Sequence, residues 1–123
     1  MQAMIHTSHH RKGWELVCQS AEVGKEAALG CVVQDRRLVV WRDAQGDVHV
    51  WRDYCPHRGA ELSRGQVMGG LIACPEHGWR FDVNGQVIRR LTTSNACLEG
   101  ARAMAYDAEE IDGVVWVCLD RVA

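Results

Sequence analysis

A small all-β fold, an antiparallel sandwich or barrel, is predicted by three observations. Short segments of two-residue alternation recur along the chain, turn residues rich in glycine separate them, and one stretch alone has helical character. LVVWRD (38–43) runs through Ala-Gln-Gly-Asp into VHVWRD (48–53), a hairpin with Gly46 at its turn. LIAC (71–74) and WRFDV (79–83) form a second strand pair, and Asn84-Gly85, the favoured type I′ dipeptide, turns the chain into QVIRR. ARAMAYDAEE and VVWVCL close the chain as strands joined by Asp112-Gly113. The helical stretch is SAEVGKEAAL (20–29), where Ser20 caps the first turn and Gly24 keeps the helix short. Val39, Trp41, Val50 and Trp116 are the expected core, and His49, between Val48 and Val50, is expected on the surface.

At 123 residues the chain suits one modest core. Residues 1–12 are expected to form a flexible, His-rich tail (His6, His9, His10), and 13–123 the domain. A net charge of −2 gives no reason to expect nucleic acid, and arginines near the aromatic positions are balanced by aspartates. Charge is uneven, with 12 Lys/Arg against 10 Asp/Glu over 1–90 and 2 against 6 over 91–123; the acidic end reads as a solvated face. No apolar run reaches the length of a leader or membrane span, so a cytoplasmic protein with no membrane contact is expected. Six cysteines in a reducing compartment point to metal rather than to disulfides.

The chemistry sits in CPHRGAELSRGQVMGGLIACPEHGW (55–79). Its spacing is Cys55-x-His57, sixteen residues, then Cys74-x-x-His77, and both prolines of the chain follow these cysteines. Two thiolates and two imidazoles suit tetrahedral zinc or an iron–sulfur cluster. Zinc sites of this composition usually pair Cys with Cys and His with His, whereas each phrase here gives one of each. A mononuclear site tolerates that arrangement. A two-iron cluster accounts for it, with Cys55 and Cys74 on one iron, His57 and His77 on the other, and each loop touching both. Neutral imidazoles in place of two thiolates favour the reduced form and raise the potential. Pro56 and Pro75 restrict φ beside each cysteine, and Gly59 and Gly78 permit tight loops whose amides can reach cluster sulfurs. Cys18, Cys31, Cys97 and Cys118 have no partner at ligand spacing and read as buried or half-buried small residues.

The stretch CPHRGAELSRGQV…LIACPEHGWRFDVNGQV, with LVVWRD…VHVWRDYCPHRGA before it and IDGVVWVCL after it, resembles the Rieske [2Fe–2S] family from about Trp14 to Leu119. The resemblance implies a small antiparallel β domain with one [2Fe–2S] cluster at the tip of two loops. Cys55 and Cys74 then hold the buried iron, and His57 and His77 the outer one. Rieske proteins of respiratory and photosynthetic complexes carry an extra cysteine in each loop and a serine after the second His-Gly. This chain has Ala60, Pro75-Glu76 and Trp79 there, which implies a potential toward the low end of the roughly −150 to +300 mV Rieske range.

The wording CPHRGA and CPEHGWRFD is more like the Rieske domain of ring-hydroxylating oxygenase α subunits than like Rieske ferredoxins. After His77 the sequence has no histidine, so the two-histidine, one-carboxylate iron site of such oxygenases has no ligands there. The resemblance therefore implies a one-electron carrier. Its donor is a reductase or ferredoxin, its acceptor the non-haem iron of a terminal oxygenase, and a monomer is expected. The alternatives are the Rieske domain of an oxygenase α subunit whose catalytic part lies elsewhere, and a structural zinc module. Arg58, Gly78 and Trp79 are the expected docking residues, with Arg58 and Arg80 available to acidic groups of the partner.

Overall fold

A computed structural model describes residues 12–56, 59–76, 79–89 and 101–122. Cys97 and the N-terminal histidines lie outside the described residues.

The strands are β1 (Trp14–Gln19), β2 (Ala28–Val33), β3 (Arg36–Arg42), β4 (Val48–Arg52), β5 (Gln66–Met68), β6 (Leu71–Ala73), β7 (Arg80–Phe81), β8 (Val87–Arg89), β9 (Ala105–Ile111) and β10 (Val114–Val122). They form a six-stranded sheet, β1-β10-β9-β4-β3-β2, and a four-stranded sheet, β5-β6-β7-β8. All described pairings are antiparallel. The edge strands β1 and β2 contact one another without pairing, so the large sheet curls toward a barrel and hides much of its exposed edges. The all-β prediction holds.

Two cores share one wall, the β3–β4 hairpin. Leu38, Val40 and Val50 face the barrel interior with Cys18, Val115 and Val117. Val39, Trp41 and Trp51 point the other way, joining Leu62, Ile72, Trp79 and Phe81 beneath the small sheet. Four successive residues of β3, Leu38–Trp41, are therefore fully buried, the pattern of a strand covered on both faces. Trp116 does not enter either core: strand alternation sends Val115 and Val117 inward and leaves Trp116 half-buried on the opposite face.

The stretch 20–29 does not make an α-helix. A single 3₁₀ turn covers Ser20–Glu22, and the cap is Gln19, whose N–H donates to Glu22 Oε1 at 2.8 Å. From Ala28 the chain is already in β2, where Ala28–Val33 pairs with Arg36–Trp41; six ladder positions outweigh the helix propensity of Glu-Ala-Ala-Leu.

The tight hairpins fall where both central residues have positive φ: Gln34-Asp35 (52° and 63°), Gly69-Gly70 (59° and 79°) and Asp112-Gly113 (52° and 81°), the type I′ signature. Asn84-Gly85 is not one of them. Only Gly85 is left-handed; its N–H donates to Asp82 O at 2.9 Å and Asp82 N–H to Gln86 O at 3.0 Å. That is a type I turn closed by a glycine bulge, and Asp43–Asp47 repeats it, with Gly46 N–H to Asp43 O and Asp43 N–H to Asp47 O, both 3.0 Å. In each turn the leading aspartate Oδ1 accepts two further backbone N–H groups, from Gln45 and Asp47 or from Asn84 and Gln86.

Candidate metal centre

The two Cys-Pro phrases form loops closed in the same way. Cys55 N–H donates to Ala60 O at 2.8 Å, and Cys74 N–H donates to Trp79 O at 2.7 Å. Each loop thus spans six residues from its cysteine, and the first is tightened by Gly59 N–H to Cys55 O at 2.7 Å. Gly59 sits at φ 79°, where a side chain would be strained.

The first loop leaves the end of β4 and the second leaves β6, so the two sheets supply one each. Cys55 is 0% and Cys74 4% exposed, both in the core that contains Leu62, Trp79 and Phe81. Nineteen residues apart in sequence, the two thiols share a hydrogen bond. That bond, followed by burial, pushes the Cys74 thiol far above its ordinary value, while the Glu76 N–H directed at its sulfur pulls the other way. Two touching, buried thiols do not both ionise unaided; a bound cation reverses that balance and leaves two adjacent thiolates. The donor set therefore fits a thiolate-bound metal. A depression of about 550 Å³ lies between the loops, lined by Gly59, Ala60, Glu61, Arg64, Pro75 and Glu76.

His57, Arg58, His77 and Gly78 lie outside the described residues, although by sequence they belong to these two loops. Among the described residues no cluster of three or more Cys, His, Asp or Glu side chains forms. Cys18 and Cys118 are buried and Cys31 half-buried, with no disulfide among the described cysteines, as expected for structural thiols.

Trp79 departs from the expectation for a docking residue. It is 0% exposed, with its ring 6.4 Å from that of Phe81, and does not belong to a docking surface. Burying an indole removes about 150–250 Å² from water, a gain of roughly 4–6 kcal/mol that holds it inside. Arg80 is half-buried and its Nε has no hydrogen-bond partner among the described residues.

Two buried aspartates, of which Asp53 adjoins the site, did not stand out in the sequence. Asp53, 8% exposed, accepts the Ser63 N–H at 2.7 Å and the Ser63 hydroxyl at 2.6 Å, stapling the entrance of the first loop to the 3₁₀ turn Leu62–Arg64 beyond it. Asp43, 3% exposed, accepts the Gln45 and Asp47 amides, and its Oδ2 lies 2.8 Å from His49 Nε2. His49 stacks on Trp41 with centroids 4.7 Å apart and is half-buried rather than a surface residue. The signal for both was the doubled Trp-Arg-Asp at 41–43 and 51–53: in each, the tryptophan enters the core and the aspartate is buried at a strand end.

The family model of the Rieske [2Fe-2S] domain matches residues 13–101. "Protein TIC 55, chloroplastic" of Arabidopsis thaliana is 35% identical over 106 residues, 85% of this chain and 20% of that protein. "Methylxanthine N1-demethylase NdmA" of Pseudomonas putida is 34% identical over 128 residues, 97% of this chain and 36% of its own length. Among solved structures, apo dicamba monooxygenase superposes with a TM-score of 0.77 at 31% identity, covering 88% of this chain and 33% of that one. The chain thus spans between about a fifth and about a third of the length of these relatives.

Proposed function

The chain belongs to the Rieske [2Fe-2S] domain family, and on that premise we propose that residues 13–123 form its Rieske unit, with Cys55 and Cys74 on one iron and His57 and His77 on the other. Membership implies one Rieske-type [2Fe–2S] cluster, which when bound takes up and gives back a single electron. The protein's own residues provide the setting. The two thiols become the anionic ligands, the Glu76 N–H stabilises sulfur charge on Cys74, and the apolar core around Leu62 and Phe81 keeps water from that side.

The observation that carries this reading is the meeting of two buried thiols from two loops closed at the same six-residue spacing. The electron then comes from a reductase or ferredoxin and goes to the non-haem iron of a terminal oxygenase. The relatives named as a demethylase and a monooxygenase support that destination. The same relatives support a second reading, in which this is the Rieske part of an oxygenase α subunit, since it corresponds to about a third of each. Among the described residues no helix is long and apolar enough to cross a membrane. We place the carrier in the cytoplasm, where its thiols stay reduced, and take it to act as a monomer.

Iron and sulfide analysis of the purified protein and its variants tests the ligand set. Cys55→Ser and Cys74→Ser are each expected to abolish assembly, and His57→Cys to keep a cluster at lower potential, because a neutral ligand becomes anionic. A coloured, full-iron Cys74→Ser protein refutes the assignment, and stoichiometric zinc in a colourless wild type refutes the function.

A further inference from the structure

We propose that Tyr54, with Arg52 stacked on it, is a positioning residue that sets the conformation and charge environment of the first ligand loop, and so tunes the reduction potential; the inference rests on the ligand assignment above. Tyr54 immediately precedes Cys55 and is 43% exposed. Its ring lies against Gly59: a Cβ built on that glycine would stand 2.9 Å from Tyr54 Cε1 and 3.5 Å from its hydroxyl oxygen. The ring thus occupies the space that the glycine leaves open. It covers the residue whose left-handed backbone and N–H bond to Cys55 O shape the loop. The strand end holds the backbone that carries the ring, because Tyr54 N–H donates to Arg52 O at 2.8 Å and Arg52 N–H to Met104 O at 2.9 Å.

Above the ring, the Arg52 guanidinium carbon sits 4.3 Å from the centroid, a cation–π contact. The stack holds a positive charge beside the loop that begins at Cys55. Among the described residues lining the same hollow, several other charged side chains already have partners. Arg37 pairs with Glu61, Asp53 accepts from Ser63, and Arg36 donates to Leu119 O. A cation held near the site stabilises the state with one more electron, so the stack favours reduction. A fixed ring also restrains the loop amides that can donate to sulfur.

The test is a redox titration of the iron-loaded wild type, Y54F, Y54L and R52Q, each with its iron content and visible circular dichroism measured. Y54F keeps the ring and the stack and is expected to keep the wild-type potential and spectrum. Y54L fills space without a π face and is expected to lower the potential and alter the spectrum. R52Q, an exposed position with no role in folding of the core, is expected to lower the potential while leaving the spectrum in place. The gap between R52Q and wild type should narrow as salt is raised, as screening of an exposed charge requires. The two losses should be less than additive, because Tyr54 acts in part through Arg52. If Y54L loses its iron, R52Q and Y54F still decide. Full-iron Y54L and R52Q at the wild-type potential overturn the proposal alone. A wild type that binds no iron overturns the ligand assignment and the proposal with it.

Discussion

Replacing Asp53 by alanine tests how the first ligand loop is anchored. The carboxylate is 8% exposed and accepts two hydrogen bonds from Ser63, one from the backbone at 2.7 Å and one from the hydroxyl at 2.6 Å. Hydrogen bonds to a charged group contribute about 1.5–3 kcal/mol each. Both end on one carboxylate and are not additive, so a loss of about 2–4 kcal/mol is expected. For a domain of this length roughly 4 °C of melting temperature corresponds to 1 kcal/mol, giving a fall of about 8–16 °C. Asp53→Asn keeps the shape and one acceptor and should lose about half as much. Because the staple joins the two sides of the loop that starts at Cys55, Asp53→Ala should also release iron faster to a chelator. Thermal unfolding followed by circular dichroism, with chelator-release kinetics alongside, reads both effects. A melting temperature within about 3 °C of wild type would refute the staple.

The same geometry sets three further outcomes. Arg42 donates to Val23 O, Ser20 O and Gly46 O and forks onto Glu110 at 3.0 Å to each oxygen, so Arg42→Met should cost about 3 kcal/mol in denaturant unfolding, and Arg42→Lys should recover only part of it because an ammonium cannot fork. Burial pushes the Asp43 carboxyl up, but contacts from His49, Asp47 and Gln45 outweigh it and hold the group below its usual value. Its stabilisation is therefore complete above the unfolded carboxyl pKa of about 3.9 and lost as pH falls through the lower folded value, so Asp43→Asn should flatten the acid limb of stability against pH. Burial, and next the nearby Cys31 thiol, push Cys18 up to about 11. Stability from the neutral thiol is full below the unfolded value of about 8.5 and declines as pH rises toward 11, and Cys18→Ala should remove that decline.

The paired Cys-Pro phrases pointed to the two cysteines that meet, and strand alternation to the fold class, because both signals are local in sequence. Features set by distant partners stayed hidden. Glu26 to Leu29 favours a helix in isolation, yet Ala28 and Leu29 pair with Trp41 and Val40, and the ladder wins. Asn84-Gly85 has the right composition for a two-residue turn, but the Asp82 carboxylate gathers the Asn84 and Gln86 amides and selects the bulged form. Trp79 stands close after the second loop's histidine in sequence and for that reason read as surface. It is the first residue of the return into the small sheet, and the core takes it. Asp53 did not stand out in the sequence because its partner, Ser63, lies ten residues away.

The most direct measurement is an EPR-monitored redox titration of the anaerobically purified protein, with iron, sulfide and zinc contents known. Two irons per chain are expected, together with a reduced-state signal showing the low average g of a cluster with two cysteine and two histidine ligands. That signal should titrate toward the low end of the roughly −150 to +300 mV Rieske range. An absence of iron and signal, with one zinc per chain, would contradict the assignment of Cys55, His57, Cys74 and His77 to a redox cluster.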